Sequence, residues 1–143
     1  MEQAQHIPVM LDRVLDLLEP AVMAAENPVV VDMTLGLGGH TEAILERFEQ
    51  ATVIGVDRDL QAIARAQERL ERFGDRVRIV HGVDDEITSI VAGEGFSRVD
   101  AGFFDLGVSS MQLDFADRGF AYAQDGPLDM RMNETDSFTA AEL

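Results

Sequence analysis

The sequence contains no cysteine and no lysine. Without cysteine there is no disulfide framework and no thiolate metal site. The histidines and carboxylates show no cluster with metal-ligand spacing, so no metal is expected. No Ser-His-Asp order stands out either. No apolar run approaches the roughly 18 residues that cross a bilayer, which excludes a membrane-spanning reading. The opening residues MEQAQHIPVM lack the basic start and apolar stretch of a secretory signal. A cytoplasmic protein is the simplest expectation.

Cations are scarce. Eleven arginines face 27 acidic residues, for a net charge of −16. That balance opposes docking on a phosphate backbone, which normally draws on cationic contacts. Taken alone it argues against a nucleic-acid partner, unless a cationic surface lies on further chain. The 143 residues, 46% of them hydrophobic, suffice for one domain with a buried core.

Along the chain, strands alternate with helices. Pro8 to Leu18 reads as a helix striped by Leu11, Val14, Leu15 and Leu18, with Pro20 ending it. Val29-Val30-Val31-Asp32-Met33 suits a buried parallel strand, and a glycine-rich turn leads to a helix over Thr41 to Phe48. Thr52 to Val56 is a second strand. Leu60, Ile63, Leu70 and Phe73 mark an amphipathic helix that Gly74 is placed to stop. Val77 to Val80, a helix over Asp85 to Ala92, and Val99 to Phe104 follow. The alternation predicts a parallel sheet with right-handed crossovers. From 108 to 137 no period holds, and a segment that long is usually functional. A helix is expected to begin again near Ser137 or Thr139.

Ligands of open parallel sheets sit beyond the carboxyl ends of the strands, and the distinctive residues fall there. Gly36, Gly38 and Gly39 allow close backbone approach after the first strand. A dinucleotide fingerprint would need a third glycine at the position of Thr41. Asp32 beside this loop suits the ammonium of S-adenosylmethionine (SAM) and would repel a pyrophosphate. Asp57 ends the second strand, where a carboxylate accepts ribose hydroxyls of SAM or NAD alike. Asp59 is expected to cap the next helix, and Arg58 to be solvated. Asp105 ends the fourth strand, with contact to cofactor or to a substrate amino group as alternatives. His6, His40 and His81 are isolated and weak acid-base candidates.

Seven segments then carry a resemblance. H-I-P-V-M-L at 6–11, D-M-T-L-G-L-G-G-H at 32–40 and I-G-V-D-R-D at 54–59 come first. D-L-G-V-S-S at 105–110 continues into Q-L-D at 112–114 and R-G-F at 118–120, and G-P-L-D-M-R-M at 126–132 closes the series. In that order they resemble the bacterial 16S rRNA cytosine-N4 methyltransferases known as RsmH or MraW. The resemblance implies a Rossmann-like, SAM-dependent methyltransferase fold, α/β with flanking helices, truncated before the later strands. Residues 1–107 would be the amino-terminal half of the SAM domain. Residues 108–143 would be an active-site loop leading into a helical substrate-binding insertion.

By the same resemblance Gly38, Gly39 and His40 contact SAM, Asp57 its ribose, and Asp105 and Gln112 complete the pocket; Asp84, as an acceptor for the adenine amine, and Asp32 and Gly36 at the glycine loop are further candidates read from the residues themselves. Asp105 is the catalytic candidate. It would accept a hydrogen bond from the cytosine amine during in-line displacement on the methyl group. Two positions depart from the family pattern: Asp84 stands where an aromatic usually lies against the adenine, and Met111 replaces a proline. The partner implied is 16S rRNA in the small ribosomal subunit, with no membrane. An unpaired edge on the fourth strand would favour self-association. The competing readings are an inert or SAM-binding truncated module and an NAD-dependent oxidoreductase.

Overall fold

The computed structural model describes residues 8–143, so His6 lies outside the described residues. Its centre is a sheet of four parallel strands, β1 (Val29–Asp32), β2 (Thr52–Asp57), β3 (Val77–His81) and β4 (Ala101–Phe103), in the order β3-β2-β1-β4. The chain steps outward from β1 to β3 and then returns to the other side of β1. The strand order therefore reverses between β1 and β4, which in Rossmann-like folds opens a crevice at the strand ends. β3 and β4 form the edges, and β4 has no second partner strand among the described residues.

Strand alternation divides the core in two. Val30 and Val53 face α1 (Leu11–Met23), α2 (Gly39–Arg47) and α3 (Leu60–Leu70), packing with Leu15, Leu18, Ile44, Leu45 and Leu70. Val29, Val31, Ile54 and Val56 face the opposite way, against Ile90 and Val91 of α4 (Ile87–Gly93). Both faces of β1 and β2 are thus apolar, as buried parallel strands require.

Several boundaries differ from expectation. α1 begins later, after Met10 in a left-handed conformation (φ 52°), and runs through Pro20 to Met23. A proline inside a helix removes one hydrogen bond and normally costs about 3 kcal/mol. Here Pro20 and Asp16, one turn earlier, both lie on the exposed face, where water can serve the freed carbonyl. Val22 beyond the proline is only 2% exposed, and its burial favours continuing the helix. α3 stops at Leu70 and tightens into a 3-10 turn over Glu71–Arg76, with the reversal at Gly74 (φ 53°). The fourth helix is preceded by a 3-10 turn over Asp84–Glu86. The aperiodic stretch contains a short helix, α5 (Ser110–Asp114), and the last expected helix is only a 3-10 turn at Ala140–Glu142.

Gly55 shows how the sheet receives the loop after β1. A Cβ built there would lie 2.7 Å from Leu35 Cδ1, so the missing side chain is the space that Leu35 fills. The Leu35 amide donates to the Val56 carbonyl at 3.0 Å, fastening the loop to β2.

Leu45 is 1% exposed in the larger cluster. Leu45→Ala is expected to cost about 2–5 kcal/mol, read as a lower urea midpoint with an unchanged slope. A loss under about 1 kcal/mol would mean that this cluster is not the core of the fold.

Candidate functional site

The carboxyl ends of β1, β2 and β4 border a cavity of about 410 Å³, within the usual range for small-ligand sites. Its walls come from the loop after β1, from Asp57 at the end of β2 and Arg58 beyond it, Arg69 of α3, Asp84 after β3, Asp105 to Gln112 after β4, and Met132. The position is the one the reversal of strand order dictates.

Two carboxylates shape the glycine loop. Asp57 Oδ2 accepts from the Gly36 amide at 2.7 Å and Oδ1 from the Asp59 amide at 2.9 Å. Gly36 meets Asp57 with a positive φ of 52°, a conformation that glycine adopts without a Cβ penalty. Partial burial raises the Asp57 pKa despite these donors. Its carboxylate still lines the cavity, where it can accept from a polyol.

Asp32 lies behind the loop. It is fully buried, accepting from Thr41 Oγ1 at 2.7 Å and from the Thr34 amide at 3.1 Å. It is not among the cavity walls, so the expectation that it meets a ligand ammonium is corrected. Its carboxylate ties β1 to the first turn of α2 and thereby holds the loop from beneath. Gly38 is likewise absent from the walls. It packs on α3, where a Cβ would lie 3.0 Å from Leu70 Cδ1.

Gly36, Gly39 and His40 do reach the cavity. A Cβ on Gly39 would lie 2.6 Å from Pro8 Cγ, so that glycine admits the amino-terminal strap formed by Pro8 and Val9. His40 Nε2 sits 2.9 Å from the Val9 carbonyl, and its ring lies 4.5 Å from that of Phe103. His40 therefore fastens the strap across the sheet. His81 makes a comparable tie, 3.1 Å from the Arg58 carbonyl. Arg58 itself is exposed, as expected.

Asp105 is exposed on the cavity rim. Its amide donates to Thr34 Oγ1 at 2.7 Å, while its carboxylate makes no hydrogen bond or ion pair among the described residues. Asp84, half-buried, opens the turn after β3. Gln112 lines the cavity, but its amide is already engaged. Oε1 accepts from the Ser109 amide at 3.0 Å, in a capping box that starts α5, and Nε2 donates to Asp59 Oδ2 at 3.0 Å. Met111, in the proline position of the motif, is buried within α5 and leaves that helix formed.

Sequence reasoning missed Arg118. Asp59 caps α3 through the Gln61 amide at 3.0 Å, as expected, but it is also buried (1% exposed) and receives Arg118 Nη2 at 2.9 Å. The signal available was the R-G-F segment, an arginine beside a glycine in a stretch without periodicity. Gly119 (φ 73°) is needed there because a Cβ would overlap the Pro127 carbonyl, and one on Gly126 would overlap the Ala116 carbonyl. The two glycine motifs are one backbone-to-backbone contact. Among the described residues no group of three or more histidines and carboxylates is placed to hold a metal. None of the described helices is long and apolar enough to cross a membrane.

Comparison with known proteins bears on this arrangement. A sequence model of the MraW methylase family matches residues 3–143. The "Ribosomal RNA small subunit methyltransferase H" of Streptomyces avermitilis is 55% identical over 143 residues, covering 100% of this chain and 45% of that one. The protein of the same name from Nocardioides sp. is 56% identical over 143 residues, covering 100% and 44%. The chain thus spans a little under half the length of these curated relatives. Among solved structures, a methyltransferase from Geobacter sulfurreducens aligns with a TM-score of 0.48 and 23% identity, over 76% of this chain and 55% of that one.

The buried Asp32 has its pKa raised to about 6, chiefly by desolvation. A carboxyl whose folded pKa exceeds the unfolded value of 3.8 binds its proton more tightly when folded. Its contribution therefore falls as pH rises from about 4 to about 6, by about 3 kcal/mol in all. Asp32→Asn should gain on the parent by that amount between pH 4 and pH 7 in urea unfolding. A difference independent of pH would show that Asp32 is charged throughout.

Proposed function

The chain belongs to the MraW methylase family, and from that membership we propose that it serves SAM-dependent N4-methylation of a cytosine in 16S ribosomal RNA. The observation that supports this best is the cavity beyond β1, β2 and β4, where Asp57 and the glycine loop meet. The residues present fit the cofactor: a loop that admits close backbone approach, a carboxylate at the end of β2, and a turn after β3 for the base. Asp57 would accept the ribose hydroxyls. Gly36, Gly39 and His40 would border the amino-acid moiety, and Asp84 would accept from the adenine amine. When bound, SAM supplies a methyl group on a sulfonium, which makes that methyl electrophilic.

The remaining work falls to the chain. The exocyclic nitrogen of cytosine is a weak nucleophile, because its lone pair is delocalised into the ring. Asp105, exposed and without a partner for its carboxylate, would accept an N–H hydrogen bond, hold the amine in line and leave more density on nitrogen. The rim from Leu106 to Ser109 would exclude water from one side. RNA must present the base unstacked for this contact to form. The glycine loop lacks the third glycine of a dinucleotide fingerprint, its place being taken by Thr41, and this disfavours the rival NAD reading.

Calorimetric titration is the primary test. The chain should bind SAM saturably and NAD not at all. Asp57→Ala should weaken SAM about tenfold to a hundredfold, the worth of one charge-assisted hydrogen bond, while Asp84→Phe should tighten it about two- to tenfold through stacking. Equal affinity for SAM and NAD would sink the cofactor assignment. Separately, Asp105→Asn should lower methyl transfer to small-subunit RNA by about tenfold to a hundredfold in a radiolabelled-methyl assay. Full transfer by that variant would remove Asp105 from the chemistry.

A further inference from the structure

We propose that Arg118 is a positioning residue that couples the loop Asp57–Asp59 to the segment 109–132, so that a ligand seated at Asp57 sets where that segment stands in the cavity. The coupling rests on the cofactor reading above, because the ligand used to reveal it is SAM.

The case begins with how few ties join the two parts. Among the described residues, the hydrogen bonds from 109–143 back to the sheet half end on two neighbouring residues. Gln112 Nε2 and Arg118 Nη2 donate to Asp59 Oδ2 at 3.0 and 2.9 Å, and Gln61 Nε2 donates to Glu134 Oε2 at 2.9 Å. Asp59 in turn gives its own amide to Asp57 Oδ1 at 2.9 Å. A shift of the Asp57 carboxylate therefore moves the anchor of the whole segment.

Arg118 spreads that anchor into the cavity wall. The same Nη2 lies 3.0 Å from the carbonyl of Met132, a wall residue, and 3.2 Å from that of Arg131. Three acceptors thus converge on a nitrogen with two hydrogens. Nη1, equally buried, has no acceptor at all. A guanidinium is a rigid fork, so a small displacement of Asp59 against 131–132 would hand one carbonyl from Nη2 to Nη1. The ion pair is 5% and 2% exposed on its two sides. In that environment an unused donor is costly, and the arrangement that uses both nitrogens is favoured once something moves Asp59. Ligand contact at Asp57 is such a displacement. This is a contiguous hydrogen-bonded network with two hydrogen-bond arrangements, the physical form coupling takes between sites.

Amide hydrogen exchange of the full chain, with and without saturating SAM, tests the proposal. In the parent, SAM should slow exchange at 36–39 and 57–59 and also, about tenfold, across 109–132. Arg118→Met, similar in bulk but uncharged, should still take up SAM and protect 36–39 and 57–59, with under about twofold slowing at 109–132. Arg118→Lys, which keeps the charge and fewer donors, should restore part of the slowing, and it serves as the readout if the methionine variant does not fold. A merely structural arginine would raise exchange with and without ligand alike and leave the ligand-dependent difference intact. Persistence of that difference in Arg118→Met overturns the proposal, as does SAM uptake by the parent without slowing at 109–132. Absence of any SAM heat in the parent is a different result: it overturns the cofactor reading on which the coupling stands.

Discussion

A carboxylate removed from water needs donors for its lone pairs, and at Asp59 those donors come from three separate stretches of chain. The Gln61 amide, the Gln112 side chain and the Arg118 guanidinium converge on it. Desolvating such a pair costs several kcal/mol for each ion, which good geometry and additional hydrogen bonds must offset. Through these three donors Asp59 draws helix α3, helix α5 and the R-G-F turn together at one point. The glycines at 119 and 126 follow from the same requirement, since the chain must pass backbone against backbone to bring Arg118 inward.

The cavity inherits its order from this point and from Asp57 two residues earlier. One face of the loop Asp57–Asp59 looks into the cavity and the other holds the segment that forms the opposite wall. Asp32 completes the scaffold from beneath, trading solvent for Thr34 and Thr41. Each of these three carboxylates thus spends part of its capacity on backbone amides, and they differ in what remains. Asp57 keeps access to the cavity, whereas Asp32 and Asp59 are enclosed.

The scarcity of cations has a structural counterpart. Most arginines are engaged: Arg69 and Arg72 with Glu42, Arg47 with Asp16 and Glu19, and Arg76 with the carbonyls of Leu45, Ala51 and Phe48. Among the described residues, only Arg13, Arg58 and Arg65 make no ion pair or side-chain hydrogen bond. Arg58 alone of these borders the cavity. The cationic contacts that RNA affinity draws on are therefore few on this surface.

The strand and helix order was legible in the sequence because buried parallel strands and amphipathic helices impose local periods, and so was the placing of Asp57 at the end of β2 and of Asp105, two residues beyond β4, beside the cavity, since strand ends are marked by neighbours in the chain. Asp59 as a helix cap was legible for the same reason. Pro20 was misread because a local breaker rule does not know which face of a helix meets water. Asp32 was misassigned because burial is set by Thr41 and the strands on either side, not by adjacent residues. Arg118 lay hidden because its partner is 59 positions away. The sequence by itself determined the periodic elements and the residues at their ends. Only the tertiary structure decided which carboxylates border the cavity and which are sealed, because desolvation and pairing depend on groups that folding alone brings together.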